Sequence, residues 1–351
     1  MMSMYKYSIL FISKNDYSLL ENWLLSEFKA DFPTIINLDI GSNNEELSRG
    51  KELCERYNIE FLISKRTEMQ LNLQEVILYS KLLLESDFIL YLHTDCFKID
   101  QNVYTKINEL IKQNNLHKFG CIGFNIYHDD EIKQISPDNI LMTTARGVLQ
   151  KGNGYYNSKS LLDLNKFKSS AFAVESIMWC AALLSKKTYS ETIKPDENFN
   201  FFHAFDDIAY QFMTNGIYNI VIPTIRLKHD QGIKEKFGYN KKSPLGKKSD
   251  VKKKYGRIDH HQIWYEKYGF HWDLRKIWLV PSITIVYKII AKLLMNLNRR
   301  FYLNLNTVAR REFKKSNSAK YPILMEFYNS NKPLKLKVSN KVKVPEFQRN
   351  S

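Results

Sequence analysis

FILYLHTD, residues 88–95, runs five apolar side chains into His93, Thr94 and Asp95. An unbroken apolar run of this length predicts a strand buried on both faces, closed by polar groups at its carboxyl end. Immediately upstream, LQEVILYSKLLLE (73–85) has helical spacing, and IEFLIS (59–64) is another short apolar run. Farther back, NEELSRGKELCERYN (44–58) predicts a polar helix capped by Asn43 or Asn44, and PTIINLDIGS (33–42) a strand closed by Gly41-Ser42. KYSILFIS (6–13) and LLENWLLSEF (19–28) complete the series as first strand and first helix. Strand and helix alternate throughout. That pattern predicts an α/β fold, a doubly wound and mostly parallel sheet with helices on both faces.

In such sheets ligands bind beyond the carboxyl ends of the strands. Three of these ends carry polar clusters: Ser13 to Asp16, Asp39 to Ser42, and His93 to Asp95. Downstream, MWCAALLSKK (178–187) reads as a strand, FHAFDDIAYQFMTNG (202–216) as a helix stopped by Gly216, and IYNIVIPTIRLKHD (217–230) as a strand ending at His229-Asp230. Residues 128–170 form a long polar stretch containing GNGYYNSK, the composition of loops and short elements near a binding cleft.

Charge divides the chain unevenly. Residues 1–227 hold 23 Lys and Arg against 28 Asp and Glu, whereas residues 228–351 hold 29 against 9. The overall +15 therefore belongs to the C-terminal third. A Lys/Gly/Ser-rich stretch, KEKFGYNKKSPLGKKSDVKKKYGR (234–257), marks the change, and the boundary is placed near 240. Residues 1–240 form the α/β domain and 241–351 a basic, mainly helical extension. Residues 241–257 read equally as a mobile lid over a diphosphate or as a solvated linker.

Within the extension, Val286, Ile289, Ile290, Leu293, Leu297 and Phe301 recur at helical spacing, with Lys288, Lys292 and Arg299 on another face. Such a helix suits an anionic membrane surface, and packing on the α/β domain is the competing reading. The four cysteines, Cys54, Cys96, Cys121 and Cys180, have no paired spacing and predict buried thiols in a reducing compartment. The N-terminal apolar run is too short for a signal peptide, and no stretch has the roughly 20 apolar residues of a membrane span. The expected location is the cytoplasm, peripheral on the inner face of the plasma membrane.

Asp95 at a strand end has the chemistry of a ligand for a hard divalent cation, Mn2+ or Mg2+; capping of the next turn is the competing, weaker reading. Asp206 and Asp207 are adjacent in a helix, so their side chains diverge by roughly 100° and only one can face a given cleft. One of them can serve as a general base, or both can simply favour a helix N-terminus. His229 closes another strand and is a candidate metal ligand or phosphate contact.

Taken in order, these elements resemble the GT-A glycosyltransferases, family 2 in particular. Asp39-Ile40-Gly41-Ser42 is similar to the D-x-G-S that ends the second strand in that family, and His93-Thr94-Asp95 stands at its D-x-D. WCAALLSKK, FFHAFDDIAYQFMTNG and VIPTIRLKHDQG then follow the family's order of strand, E-D helix, Val-Pro and His. The likeness spans roughly residues 5–232, with two departures: His93 replaces the first acidic residue of D-x-D, and Asp206 the Glu of E-D.

The resemblance implies a transferase that moves a sugar from a nucleotide-diphosphate donor to a hydroxyl of a glycan or lipid-linked acceptor, inverting the anomeric carbon, in bacterial surface polysaccharide or lipo-oligosaccharide synthesis. By it, Ser13, Asp39, Ser42, His93 and Thr94 would hold the donor. Asp95 and His229 would hold the metal, and Asp207, with Asp206 beside it, would be the base. YEKYG (265–269) is similar to a Y-x-x-K-W-G segment that follows many such domains.

Three other classes fit less well. A sugar-phosphate nucleotidyltransferase opens with a glycine-rich phosphate loop, where this chain has SKNDYS. A nucleic-acid-binding protein would show a reading motif and a basic folded face, so no nucleic acid is expected. A non-catalytic membrane scaffold would tolerate loss of Asp207.

Overall fold

A computed structural model describes residues 7–28, 32–66, 68–128, 145–149, 170–177, 179–199, 203–230, 232–233, 263–264, 266–268, 285, 289 and 334–335. The basic 241–257 stretch and all but two residues of the expected amphipathic helix lie outside them. Ile285 and Ile289 are both exposed.

The alternation read from the sequence is present. β1 (Tyr7–Ser13), β2 (Ile35–Asp39), β3 (Glu60–Ile63) and β4 (Phe88–Leu92) are separated by α1 (Tyr17–Glu27), α2 (Asn44–Arg56) and α3 (Met69–Tyr79). Asn43 caps α2, its side chain accepting the Glu46 N–H at 2.9 Å. The expected single helix over 73–85 is instead α3 plus a short 3-10 turn at Leu82–Glu85. Ser80 divides them: its N–H closes α3 on the Val76 carbonyl, and its hydroxyl accepts from Leu83 N–H to start the turn.

Next come β5 (Cys96–Lys98), α4 (Val103–Gln113), β6 (Phe119–His128), β7 (Ala145–Leu149), β8 (Ser170–Ile177) and β9 (Ala181–Ser185). The described elements end with α5 (Lys186–Thr192), α6 (Ala204–Thr214), β10 (Tyr218–His229) and β11 (Leu334–Lys335). Gly216, expected as the helix stop, lies just past α6 with φ of 83°, a left-handed conformation that favours glycine.

The main sheet runs β3-β2-β1-β4-β9-β6-β10. β1 pairs parallel with β2 and β4, β2 with β3, and β6 with β10; β9 alone runs against its neighbours β4 and β6. Six carboxyl ends therefore share one edge. β8 adds antiparallel to β10 and carries β7 and β11. Pairing of β10 with β6 slips between Ile222 and Arg226, around Pro223, which has no N–H to give to a ladder.

Side chains alternate across β1. Leu10 joins a core with α3 and α6, while Ile9 and Phe11 join a second core with α1, α2 and α4. Both faces of the sheet are thus covered. Trp264 and Tyr268, beyond residue 240, belong to the first of these cores and are 0% and 4% exposed.

Candidate active site

The shared edge brings several of the expected residues near one another, beginning with the first two loops. Asp39 is fully buried at the end of β2 and its Oδ1 accepts the N–H groups of Gly41 and Ser42, both at 2.9 Å. Gly41 has a φ of 92°, a backbone that favours glycine, so D-x-G-S here is the sequence of a carboxylate-closed turn. Asp39 Oδ2 accepts the Tyr17 hydroxyl at 2.7 Å. Burial, with the Asp39 carboxylate beside it, pushes the Tyr17 phenol far above its ordinary range and keeps it a donor. Ser13 is also buried and donates to Asn37 Oδ1 at 2.8 Å. Ser42 Oγ accepts the Asn15 N–H, and Asn15 Oδ1 accepts the Asn43 N–H, each at 2.8 Å. The two loops are stitched into one rim. Of Ser13, Asp39 and Ser42, only Ser42 keeps part of its surface exposed.

At the end of β4 the chain turns sharply, with the Cys96 N–H on the His93 carbonyl at 3.0 Å. It then runs back as β5 against the end of β10, pairing Cys96 with His229. That reversal sets Asp95 beside a histidine 134 positions away, and the Asp230 N–H donates to the Asp95 carbonyl at 2.8 Å. The Trp23 indole holds the turn from below, donating to the Cys96 carbonyl at 2.8 Å. His93 is positioned from the other side by its own N–H on the Cys180 carbonyl at 2.9 Å.

As a result His229 Nε2 lies 3.1 Å from Asp95 Oδ2, and His93 Nδ1 3.7 Å from Asp95 Oδ1. One ligand atom from each of the three falls within 4.8 Å of the others. Asp95 is fully buried, His229 nearly so, and the His93 side chain is 37% exposed. One carboxylate oxygen and two imidazole nitrogens converging on a point, open on the His93 side, fit a divalent cation that keeps positions for outside ligands. The sequence reading placed His93 on the donor; the geometry gathers it with Asp95 and His229. Thr94 is not among the three and donates to Asp16 Oδ2 at 3.3 Å. Asp16, which the sequence reading left without a role, thereby links the ends of β1 and β4.

Asp206 and Asp207 occupy the first turn of α6, where the helix dipole favours negative charge. Their side chains diverge as a helix requires. Asp206 turns toward the sheet and accepts from Ser176 Oγ at 2.9 Å, with His203 Nδ1 at 3.3 Å. His203 begins the helix at φ 61°, a left-handed conformation that a side chain strains to hold. Asp207 turns toward α3 and the 263–268 segment. Its Oδ2 accepts from Gln70 at 2.9 Å and Gln211 at 2.7 Å; its Oδ1 accepts from Tyr268 at 2.5 Å, with the Lys267 ammonium at 2.8 Å. A carboxylate has about four acceptor positions, and all four are filled. Neither aspartate belongs to the three-residue cluster around Asp95. Between that cluster and α6 stand aromatic rings: His93 meets Tyr91 at 5.5 Å, Tyr91 meets Phe205 at 5.2 Å, and Phe205 stacks on Trp179 at 4.6 Å.

Gln70, Lys267 and Tyr268 were not assigned roles from the sequence. YEKYG was visible as a motif, but nothing in it names a carboxylate partner.

No family model and no curated protein matches the chain. Among solved structures it is similar to GalNAc-T7 with UDP, GalNAc and Mn2+, at 13% identity and a TM-score of 0.49 over 92% of this chain. It spans 59% of the length of that protein. A mannosyltransferase from Pyrobaculum calidifontis in complex with GDP-Man and Mn2+ gives 12% identity and 0.42, covering 92% of this chain and 79% of that one. S. aureus TarS 1-349 gives 11% and 0.43, with 96% and 97% covered.

Proposed function

We infer that this chain is a metal-dependent glycosyltransferase that uses a nucleotide-diphosphate sugar. The observation that carries the reading is the convergence of His93, Asp95 and His229 at the strand ends, where the family 2-like sequence order puts D-x-D and the later His. His93, Asp95 and His229 would hold a divalent cation, which would supply positive charge against the departing diphosphate. Asp95, buried and fixed by β5, supplies the negative ligand. His229 is fixed by β10 and His93 by its tie to Cys180. The rim formed by Ser13, Asn15, Asp39 and Ser42 lies at the ends of β1 and β2, beside the topological switch between β1 and β4. Its exposed backbone and the Ser42 side chain face the place of the donor's nucleoside. Asp39 and Ser13 act through the rim they hold together.

In the transfer, the acceptor oxygen bonds to the anomeric carbon while the bond from that carbon to the phosphate oxygen breaks. The nucleoside diphosphate leaves with the electron pair, and the acceptor's proton passes to Asp207. Attack on the face opposite the leaving group inverts the anomeric centre. The acceptor is a hydroxyl of a glycan or lipid-linked glycan, in bacterial surface-polysaccharide synthesis. The basic C-terminal third, net +20 from 29 cations and 9 anions, brings the enzyme to the anionic membrane surface where such acceptors lie.

Calorimetric titration with UDP, GDP and CMP, each with and without Mn2+, tests the core of this reading. One of the three binds in the presence of the ion and loses most of its affinity without it. Absence of ion-dependent binding for all three would sink the assignment.

A further inference from the structure

The 263–268 segment sits far along the chain from the sheet strands, yet it reaches the proposed proton acceptor. Trp264 is fully buried among Tyr210 at 5.0 Å, Tyr268 at 4.5 Å and His203 at 5.2 Å, which anchors the segment against the start of α6. From that anchor Tyr268 and Lys267 supply both donors to Asp207 Oδ1. Lys267 also pairs with Asp196 at 2.8 Å, and Gln70 completes a ring by accepting the Asp196 N–H at 2.8 Å while donating to Asp207. Burial alone would raise the Asp196 carboxyl, but pairing with Lys267 overrides it and the group lies below its ordinary range. The ammonium is shared between the Asp196 and Asp207 carboxyl groups.

We propose that Lys267 and Tyr268 are positioning residues for Asp207, so that the proton acceptor is completed by a segment 61 residues downstream of it. The proposal rests on the transferase reading and deepens it. Gln70 and Gln211 fix Oδ2, and Tyr268 fixes the rotation of Oδ1. Lys267 is the donor that can yield: its side chain is 31% exposed, and Asp196 keeps it paired when it leaves Asp207. An acceptor hydroxyl then takes the released position on Oδ1 and hands over its proton. Lys267 thus holds the carboxylate oriented until an acceptor arrives.

The test uses the full chain and three variants, Lys267→Met, Lys267→Arg and Tyr268→Phe. Binding of UDP, GDP or CMP with Mn2+ reads the metal and donor site, which does not include Asp207. Mn2+-dependent hydrolysis of the corresponding sugar nucleotides, with water as acceptor, reads the proton acceptor. Lys267→Met is expected to lower kcat at least about tenfold with KM and nucleotide affinity within about twofold, because a displaced reacting group costs rate more than binding. Tyr268→Phe, which keeps the packed ring, is expected to lower kcat in the same way, and Lys267→Arg to recover most of it. Unchanged kcat in both Lys267→Met and Tyr268→Phe overturns the proposal. So does a parallel collapse of kcat, nucleotide affinity and thermal midpoint, which would mark a purely structural tie. Failure of the unaltered chain to bind any of the three nucleotides instead removes the transferase reading, and this proposal with it.

Discussion

Asp95 and Asp207 are both fully buried aspartates, and their surroundings divide their chemistry. Asp95 shares its space with two imidazoles, groups that are themselves metal ligands when neutral. Asp207 is surrounded by donors only: two amides, a phenol and an ammonium. The first setting suits a cation, and the second holds the carboxylate in one orientation. Asp95→Asn is therefore expected to weaken Mn2+ binding by more than about a hundredfold, the upper end of losses seen for mere outer-shell partners. Asp207→Asn should leave Mn2+ affinity within about twofold while abolishing turnover. Calorimetry with the ion alone separates the two, and equal losses of Mn2+ affinity would contradict the assignment. Both aspartates were legible as candidates from their places after FILYL and FFHAF. His229 was named beside Asp95 through the family resemblance, whereas Gln70 was not, because it lies 137 positions from Asp207 in chain order.

Elements hold the site through a few close approaches. Helix α2 meets α1 at Gly50, where an added Cβ would lie 2.3 Å from the Tyr17 ring. Alanine normally strengthens a helix by about 1 kcal/mol over glycine, but overpacking costs about 1–3 kcal/mol. Displacing Tyr17 also takes its hydroxyl from Asp39. Gly50→Ala should lower the thermal midpoint and the affinity for nucleotide together; a rise in midpoint would refute this packing argument. On the other side of the site, Asp100 binds β5 to β10 and α4 through Arg226 and Lys106. Burial alone would raise its carboxyl, but Arg226 and Lys106 override it and hold the group below its ordinary range. A carboxyl lowered in the folded state adds stability above the unfolded value, about 3.9, and loses it as pH falls toward the lower folded value. Asp100→Asn should cost about 2–3 kcal/mol at neutral pH. Its denaturation midpoint should converge on that of the unaltered chain as pH drops below about 4. A constant difference across that range would exclude the linkage.

At the scale of the whole molecule, the described parts of the basic C-terminal third pack on the sheet domain. Its 263–268 portion fills the core over α6, and Leu334–Lys335 adds a short strand to β8. Deleting everything after residue 240 removes Trp264, a loss of about 3–5 kcal/mol for that side chain alone. Such a chain should be unfolded or aggregated by circular dichroism and light scattering. Deleting only residues 278–351 should preserve Mn2+-dependent nucleotide binding and reduce co-sedimentation with vesicles rich in anionic lipid. Equal folding of both truncations would show that 263–268 is dispensable. Among the described residues no helix is long and apolar enough to cross a membrane.

Apolar runs, helical spacing and cap residues are local signals, and they were enough to foresee the alternating strands and helices, the covered faces of the sheet and the polar clusters at its carboxyl edge. Local signals carry no record of direction or distance. The reversal of β9, the return of β5 onto β10 and three of the four donors around Asp207 (Gln70, Lys267 and Tyr268) arise from segments brought together only when the sheet closes. A five-residue strand such as AALLS pairs equally well either way until its neighbours are in place. A carboxylate likewise reads the same in the chain whether it will face a cation or a lysine, since its partners are chosen by packing across the sheet.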